Sequence, residues 1–234
     1  MNFRLKKTGV VILFFLIFKF CSVSAQVGNN ELGAWYGYFF STGFGDSGFG
    51  VMGDVQHRNF SVTSDFQQLI LRAGLTYKIN ETPLKLVAGY SYFNSGTPGE
   101  DNSQNIENRL YQDLLWSQKI GERVSFNHRL RLEERFIENQ DFRTRYRYAL
   151  NVRVPLNNKE LLPNTFYLWS AGEVFINGQK QTGAGNVNLY DRTWLFGGLG
   201  YEISKPLRFE LAYMREITNT ATKGQLIVSL FHSF

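Results

Sequence analysis

Cysteine is almost missing from this chain. The 234 residues include one cysteine, Cys21, so no disulfide can form within the chain. Proline and histidine are also scarce, with five and three copies. Beyond residue 25, no run approaches the roughly 18 apolar residues that a membrane-spanning helix needs. These absences exclude a disulfide-stapled scaffold and a helical membrane protein.

The N-terminus has the three parts of a secretory signal peptide. Basic residues at 4–7 precede an apolar run at 9–18, and small residues lead to Ala25. A membrane anchor is the alternative, but Lys19 interrupts the apolar run early. The pattern predicts a signal peptide over 1–25 that is cleaved after Ala25, which would also remove Cys21. Residues 26–234 then form one domain.

Removing that peptide changes the charge of the chain. Four of the 25 basic residues and none of the 20 acidic ones lie within 1–25, so 21 basic and 20 acidic residues remain. A net charge of +1 gives no electrostatic basis for binding nucleic acid. We therefore expect no nucleic-acid partner.

The last ten residues alternate between apolar and other side chains. Leu226, Val228, Leu230 and Phe234 share one face, and the chain stops at that aromatic residue. Such a strand is typical of a barrel in the outer membrane of a Gram-negative cell, reached through the periplasm. It predicts contact with outer-membrane lipid, with lipopolysaccharide and, during insertion, with the barrel-assembly machinery.

Similar alternation recurs along the chain, in segments free of internal proline. Most have 11–15 residues, longer than the strands of soluble sheets and long enough to cross a bilayer. The predicted fold is all-β, a transmembrane antiparallel up-and-down β-barrel. The eleven segments lie near 31–42, 48–58, 66–79, 84–94, 105–119, 122–136, 142–154, 165–176, 189–203, 206–217 and 224–234.

The links between segments set the orientation and the strand count. Links at 79–83, 119–122 and 203–206 are short, whereas those at 94–104 and 177–188 are long and polar. Short links belong on the periplasmic side, with 155–164 as a longer exception. Bacterial barrels normally have an even number of strands, so we expect ten or twelve, with twelve favoured.

Arginines occupy one face of three neighbouring segments. An arginine that faced lipid at mid-bilayer would cost roughly 2–4 kcal/mol, so these side chains must face the lumen. The predicted basic wall consists of Arg109, Arg129, Arg131, Arg135, Arg143, Arg145, Arg147 and Arg153. The predicted acidic partners in the lumen are Glu107, Asp113, Glu133, Glu173 and Glu210.

The short link 137–141 joins two of these segments into a hairpin. Symmetric pairing about the link places arginine opposite arginine at two positions, which is destabilising unless other groups compensate. The predicted pairs are Arg135 with Arg143, Glu133 with Arg145, and Arg131 with Arg147.

Two functions fit this wall. In one, the arginines pair with acids across a narrow lumen and fill it, and the barrel acts through its outer loops as a structural or binding protein. In the other, a wider lumen is a small pore or binding barrel for anionic solutes.

Catalysis is not expected. His57, His128 and His232 do not combine an inward position with the outer rim, as a histidine base of a lipid-modifying barrel would. The sequence has no G-x-S-x-G, no H-E-x-x-H and no cysteine-based metal spacing, so we predict no enzyme, no cofactor and no metal.

Glycines and aromatic residues give weaker signals. The run 197–200 contains three glycines within one segment, which predicts room for bulky neighbours or strand curvature. Several aromatic residues fit the interfacial girdles of membrane barrels and fit ordinary sheets equally well. They are Trp35, Tyr36, Trp116, Tyr167, Trp169, Trp194 and Tyr201.

Four stretches carry a resemblance to a known family. They are ELGAWYGYFF, FQQLILRAGLTYKI, HRLRLEERF with the RTRYRYAL that follows, and GGLGYEISKPLRFELAYMRE. In these the chain resembles domain of unknown function 2490, an uncharacterised family of Gram-negative outer-membrane proteins. The resemblance implies an outer-membrane β-barrel with no established activity. In size and lumenal arginines the chain is also similar to small twelve-stranded porins for acidic oligosaccharides, by architecture only.

Overall fold

Alternating segments of this chain form the strands of a sheet. The computed structural model describes residues 32–99, 103–183 and 185–234. The predicted signal peptide, 1–25, lies outside the described residues. The strands are β1 (Gly33–Gly43), β2 (Phe49–Asn59), β3 (Phe66–Lys78), β4 (Leu84–Gly96), β5 (Gln104–Ile120), β6 (Val124–Ile137), β7 (Arg143–Pro155), β8 (Thr165–Asn177), β9 (Gln181–Thr182), β10 (Gly185–Asn186), β11 (Tyr190–Glu202), β12 (Leu207–Ile217) and β13 (Thr222–Ser233).

Eleven of these strands close into a barrel in the order β1-β13-β12-β11-β8-β7-β6-β5-β4-β3-β2. Each pair of sequential neighbours is antiparallel, but β1 and β13 pair in parallel and close the barrel. The expected count of ten or twelve strands was therefore wrong. We call the pair of β1 and β13 the seam. Because the seam is parallel, an odd number of strands can close the barrel, and Leu32 and Phe234 lie at opposite ends of it.

The two ends of the barrel differ in their links. The end with the links 60–65, 97–103, 138–142, 178–189 and 218–221 is called the loop end, and the opposite end the turn end. The small pair of β9 with β10 belongs to the link 178–189 at the loop end. At the turn end, the link 156–164 is longer than its neighbours and folds back, so that Leu161 packs against interior side chains.

The strands separate two kinds of surface. Leucines such as Leu75, Leu130 and Leu199 face outward and are 51%, 46% and 52% exposed. Charged side chains alternate with them and are buried inside, so the outer face is apolar and the interior polar. Among the described residues, the structure has no helix long and apolar enough to cross a membrane.

Close packing explains the glycine run in β11. A β-carbon on Gly200 would lie 2.0 Å from the ring of Tyr167 on β8, whereas one on Gly197 would meet nothing within 4 Å. Glycine at position 200 therefore lets the tyrosine ring lie flat against the barrel wall. The prediction of room for a bulky neighbour is correct for Gly200.

Aromatic side chains fill part of the interior. Trp35, Tyr167, Trp169, Phe175 and Trp194 belong to one buried cluster. The sequence left an outer girdle and an ordinary sheet position equally open for this group of aromatic residues, and the structure buries four of its members, Trp35, Tyr167, Trp169 and Trp194. Alternation alone allowed both faces at those positions, and packing across the barrel selects the inner one.

Candidate functional site in the barrel interior

The charged interior begins with the hairpin of β6 and β7. The tight link at 138–142 sets its register, and the pairs are the predicted ones. Arg135 lies opposite Arg143, Glu133 opposite Arg145, and Arg131 opposite Arg147.

Glu133 is the centre of this network. Its side chain is only 2% exposed, and its carboxylate accepts hydrogen bonds from Arg145 at 2.7 Å and from Arg147 at 2.6 Å. Arg109 and Arg131 lie further away, at 3.4 and 3.9 Å. Four guanidinium groups thus share one buried carboxylate, which compensates the repulsion between Arg131 and Arg147 in the register.

Other acids complete the network from neighbouring strands. Glu107 accepts two hydrogen bonds from Arg109 and two from Arg135. Asp113 accepts two from Arg131, at 2.6 and 2.7 Å. These paired bonds match the planar fork of arginine to a carboxylate, which fixes both side chains.

Two further acids each contact an arginine on a strand that is not adjacent to their own. Glu173 on β8 accepts hydrogen bonds from Arg147 at 2.7 Å and from Arg129 of β6 at 2.6 Å. Near the turn end, Glu210 on β12 lies 3.4 Å from Arg153 of β7 and accepts a hydrogen bond from Tyr167 at 2.9 Å. Of the eight arginines of the predicted basic wall, seven therefore have a carboxylate within 4 Å, and Arg143 has none among the described residues.

Asp191 belongs to the same network, although sequence reasoning did not include it. It lies 2.9 Å from Arg145 and 3.2 Å from Arg192. The pairing of β8 and β11 shifts by one residue between Tyr190 and Arg192, and this bulge turns Asp191 out of strict alternation. In the sequence, the only signals for an inward Asp191 are its place near the end of a strand and its neighbour Arg192.

Aromatic rings separate some of these charges. The Arg58 guanidinium lies 3.7 Å from the ring centroid of Trp35 and 5.6 Å from that of Trp194. On the other side, Arg147 lies 5.7 Å from the Trp194 centroid and 4.3 Å from that of Phe175. A cation over an aromatic face is attracted by the ring, most strongly by tryptophan.

These contacts span the lumen. Arg58 is on β2 and Arg147 on β7, five strands apart around the barrel. Trp194 of β11 lies between them and also packs edge-on against Trp35, with ring centroids 4.9 Å apart. Side chains from opposite walls thus meet at this level of the interior.

Histidines lie outside this network. His128 faces outward, where its ring stacks on Trp116 at 4.5 Å and its two nitrogens lie within hydrogen-bond distance of Tyr148 and Gln118. His232 is also on the outer face, 3.0 Å from the hydroxyl of Tyr38. Within the described ranges, no three side chains of histidine, cysteine, aspartate or glutamate form a group that could hold a metal ion.

Comparison with known proteins identifies the family. A search of curated proteins finds no match. A family model described as "Protein of unknown function (DUF2490)" matches residues 32–226, which cover all strands from β1 to β12 and the start of β13. The residues that match the family model thus form the closed barrel with its buried ion pairs. Because the match extends over more than half of the chain, the protein belongs to the DUF2490 family.

Proposed function

We propose that this protein is a closed outer-membrane β-barrel that acts through its loop end as a structural or binding protein. The observation that carries the proposal is the position of Trp194, between Arg58 and Arg147 and against Trp35. Side chains from opposite walls meet there, and Leu161 packs against the same cluster from the turn end. We expect side chains that meet across the lumen in this way to block the passage of ions.

The outer surface supports the membrane location. The barrel strands have 11–17 residues, and about 9–11 suffice to cross the hydrocarbon core at a tilt. Among the charged residues of the described barrel strands, only Glu134 and Arg215 alternate to the outer face, and both lie near the loop end. An apolar belt with charges only near its rim suits contact with outer-membrane lipid and lipopolysaccharide. The strand β13 would serve as the recognition segment for the barrel-assembly machinery.

The proposed role is not catalytic. The contacts of His128 are with outward-facing Trp116, Tyr148 and Gln118, and those of His232 are with outward-facing Tyr38. A side chain placed in this way is suited to the membrane interface rather than to proton transfer inside the barrel. The interior carboxylates are held in ion pairs with arginines, which suits a filling role.

An anion-selective pore is the competing function. Arg58 and Arg143 favour it, because neither has a carboxylate within 4 Å among the described residues and both add positive charge to the lumen. The pairing of the other wall arginines opposes it, because a guanidinium that donates two hydrogen bonds to a carboxylate is not free to bind a passing anion.

Conductance in planar bilayers tests the proposal. The full chain should give no discrete current steps under conditions in which a general porin conducts. A Trp194→Ala variant should leak small ions more than a Trp116→Ala variant, which removes an outward ring of the same size. Stable channels in the wild-type protein would refute the closed barrel, and a reversal potential on the anion side would favour the pore.

A further inference from the structure

Three arginines lie side by side near the loop end of the interior. In the register of β5, β6 and β7, Arg109 is opposite Arg135 and Arg135 is opposite Arg143. Like charges directly opposite each other in a sheet are destabilising unless another group compensates. This row therefore needs negative charge.

Glu107 supplies that charge to only two of the three. Its two oxygens are shared between Arg109, at 2.7 Å each, and Arg135, at 2.6 and 3.1 Å. Arg143 has no hydrogen-bond partner and no carboxylate within 4 Å among the described residues, and its Nε is buried and unsatisfied. As far as the described residues go, the Arg135–Arg143 pair is therefore only half neutralised.

The acid nearest to Arg143 along the chain is two residues before it and points elsewhere. Asp141 accepts a hydrogen bond from the backbone amide of Gly183 in the link 178–189. The same link contacts Thr144, whose amide donates to Gln179 at 2.8 Å. These contacts fix the surroundings of Arg143 at the loop end, while its guanidinium group has no acid within 4 Å among the described residues.

We propose that Arg143 binds an oxyanion at the loop end of the barrel interior, beside Arg135, which is already paired with Glu107. The ligand is the phosphate or carboxylate group of a soluble solute, because the planar fork of arginine matches both groups and the side chains alternate to the inside. The inference deepens the proposed binding role of the closed barrel by naming a ligand class. One oxyanion on Arg143 offsets the repulsion between Arg135 and Arg143 that Glu107 leaves.

Titration of the full chain in detergent with inorganic phosphate, followed by calorimetry at constant ionic strength, tests this site. We expect saturable binding that Arg143→Gln weakens by about tenfold or more, because a hydrogen bond to a charged group is lost. Arg215→Gln is the matched control, since Arg215 lies at the same end of the barrel but on the outer face, and it should bind phosphate as the wild type does. Acetate in place of phosphate distinguishes the carboxylate from the phosphate ligand.

Several results would overturn the site. They are no saturable binding of either phosphate or acetate, equal binding by Arg143→Gln and wild type, equal loss in Arg215→Gln, or binding seen only with lipid A micelles. Circular dichroism of each variant shows that the barrel has folded. Conductance by the wild type would refute the closed barrel alone, whereas a non-conducting protein that fails to bind oxyanions refutes this site alone.

Discussion

Replacing Glu133 by glutamine tests whether the interior network holds the barrel together. The substitution keeps the size of the side chain and one oxygen acceptor but removes the negative charge that Arg145 and Arg147 share at 2.7 and 2.6 Å. The four surrounding arginines then repel one another without this central carboxylate.

The expected loss of stability follows from what each arginine keeps. Breaking a buried ion pair by removing one partner costs about 3–5 kcal/mol. Each of the four arginines retains another acid, so no guanidinium becomes fully unpaired, and we expect the lower end of that range, about 3 kcal/mol. The retained acids are Asp191 for Arg145, Glu173 for Arg147, Glu107 for Arg109 and Asp113 for Arg131.

Urea unfolding in detergent, followed by tryptophan fluorescence, measures this loss. Glu134→Gln is the matched control, because Glu134 is the next residue of β6, faces outward and has no ion pair within 4 Å among the described residues. We expect the control to change the free energy of unfolding by less than about 0.5 kcal/mol. Equal effects of the two substitutions, or a wild-type midpoint for Glu133→Gln, would show that the network is not needed for stability.

Three smaller changes test other contacts of the interior. Gly200→Ala should destabilise the barrel by about 1–3 kcal/mol, because its β-carbon would meet the Tyr167 ring, whereas Gly197→Ala should be close to neutral in the same unfolding assay. Tyr167→Phe should cost about 1–3 kcal/mol, because it removes the hydrogen bond to the buried carboxylate of Glu210, and a midpoint equal to that of the wild type would contradict the contact. Leu161→Ser should raise proteolysis within the link 156–164, since Leu161 anchors it to the interior cluster, and unchanged cleavage would argue against that anchor.

Much of the barrel could be predicted from the alternation of side chains. The eleven segments correspond to the eleven barrel strands, and the tight link at 138–142 fixes the register that pairs Glu133 with Arg145. Both rest on local information, namely a period of two and the length of a turn.

The strand count required information that local patterns do not contain. An even number follows only if all neighbouring strands are antiparallel, and the parallel seam between β1 and β13 removes that condition. The seam depends on which two distant strands meet, so no single segment indicates it.

The composition of the interior was also only partly predictable. Alternation places Glu173 and Arg129 inside, but their contact between β8 and β6 depends on how the strands stagger around the barrel. Asp191 was missed because a bulge breaks the period on which the prediction relied. Trp194 was assigned no face because aromatic residues suit both lipid and a packed interior.

The seam between β1 and β13 also has a kinetic consequence. The hydroxyl oxygens of Ser41 and Ser233 lie 3.2 Å apart across it, although the two residues are 192 positions apart in the chain. The part of the chain-entropy cost that depends on loop length is about 5 kcal/mol for closing this loop. For closing a short hairpin it is about 1–2 kcal/mol. Parallel pairing repays this cost slightly less well per residue than antiparallel pairing. We therefore expect the hairpins to form before β1 pairs with β13, and we expect the closure of this pair to be the slow step of folding.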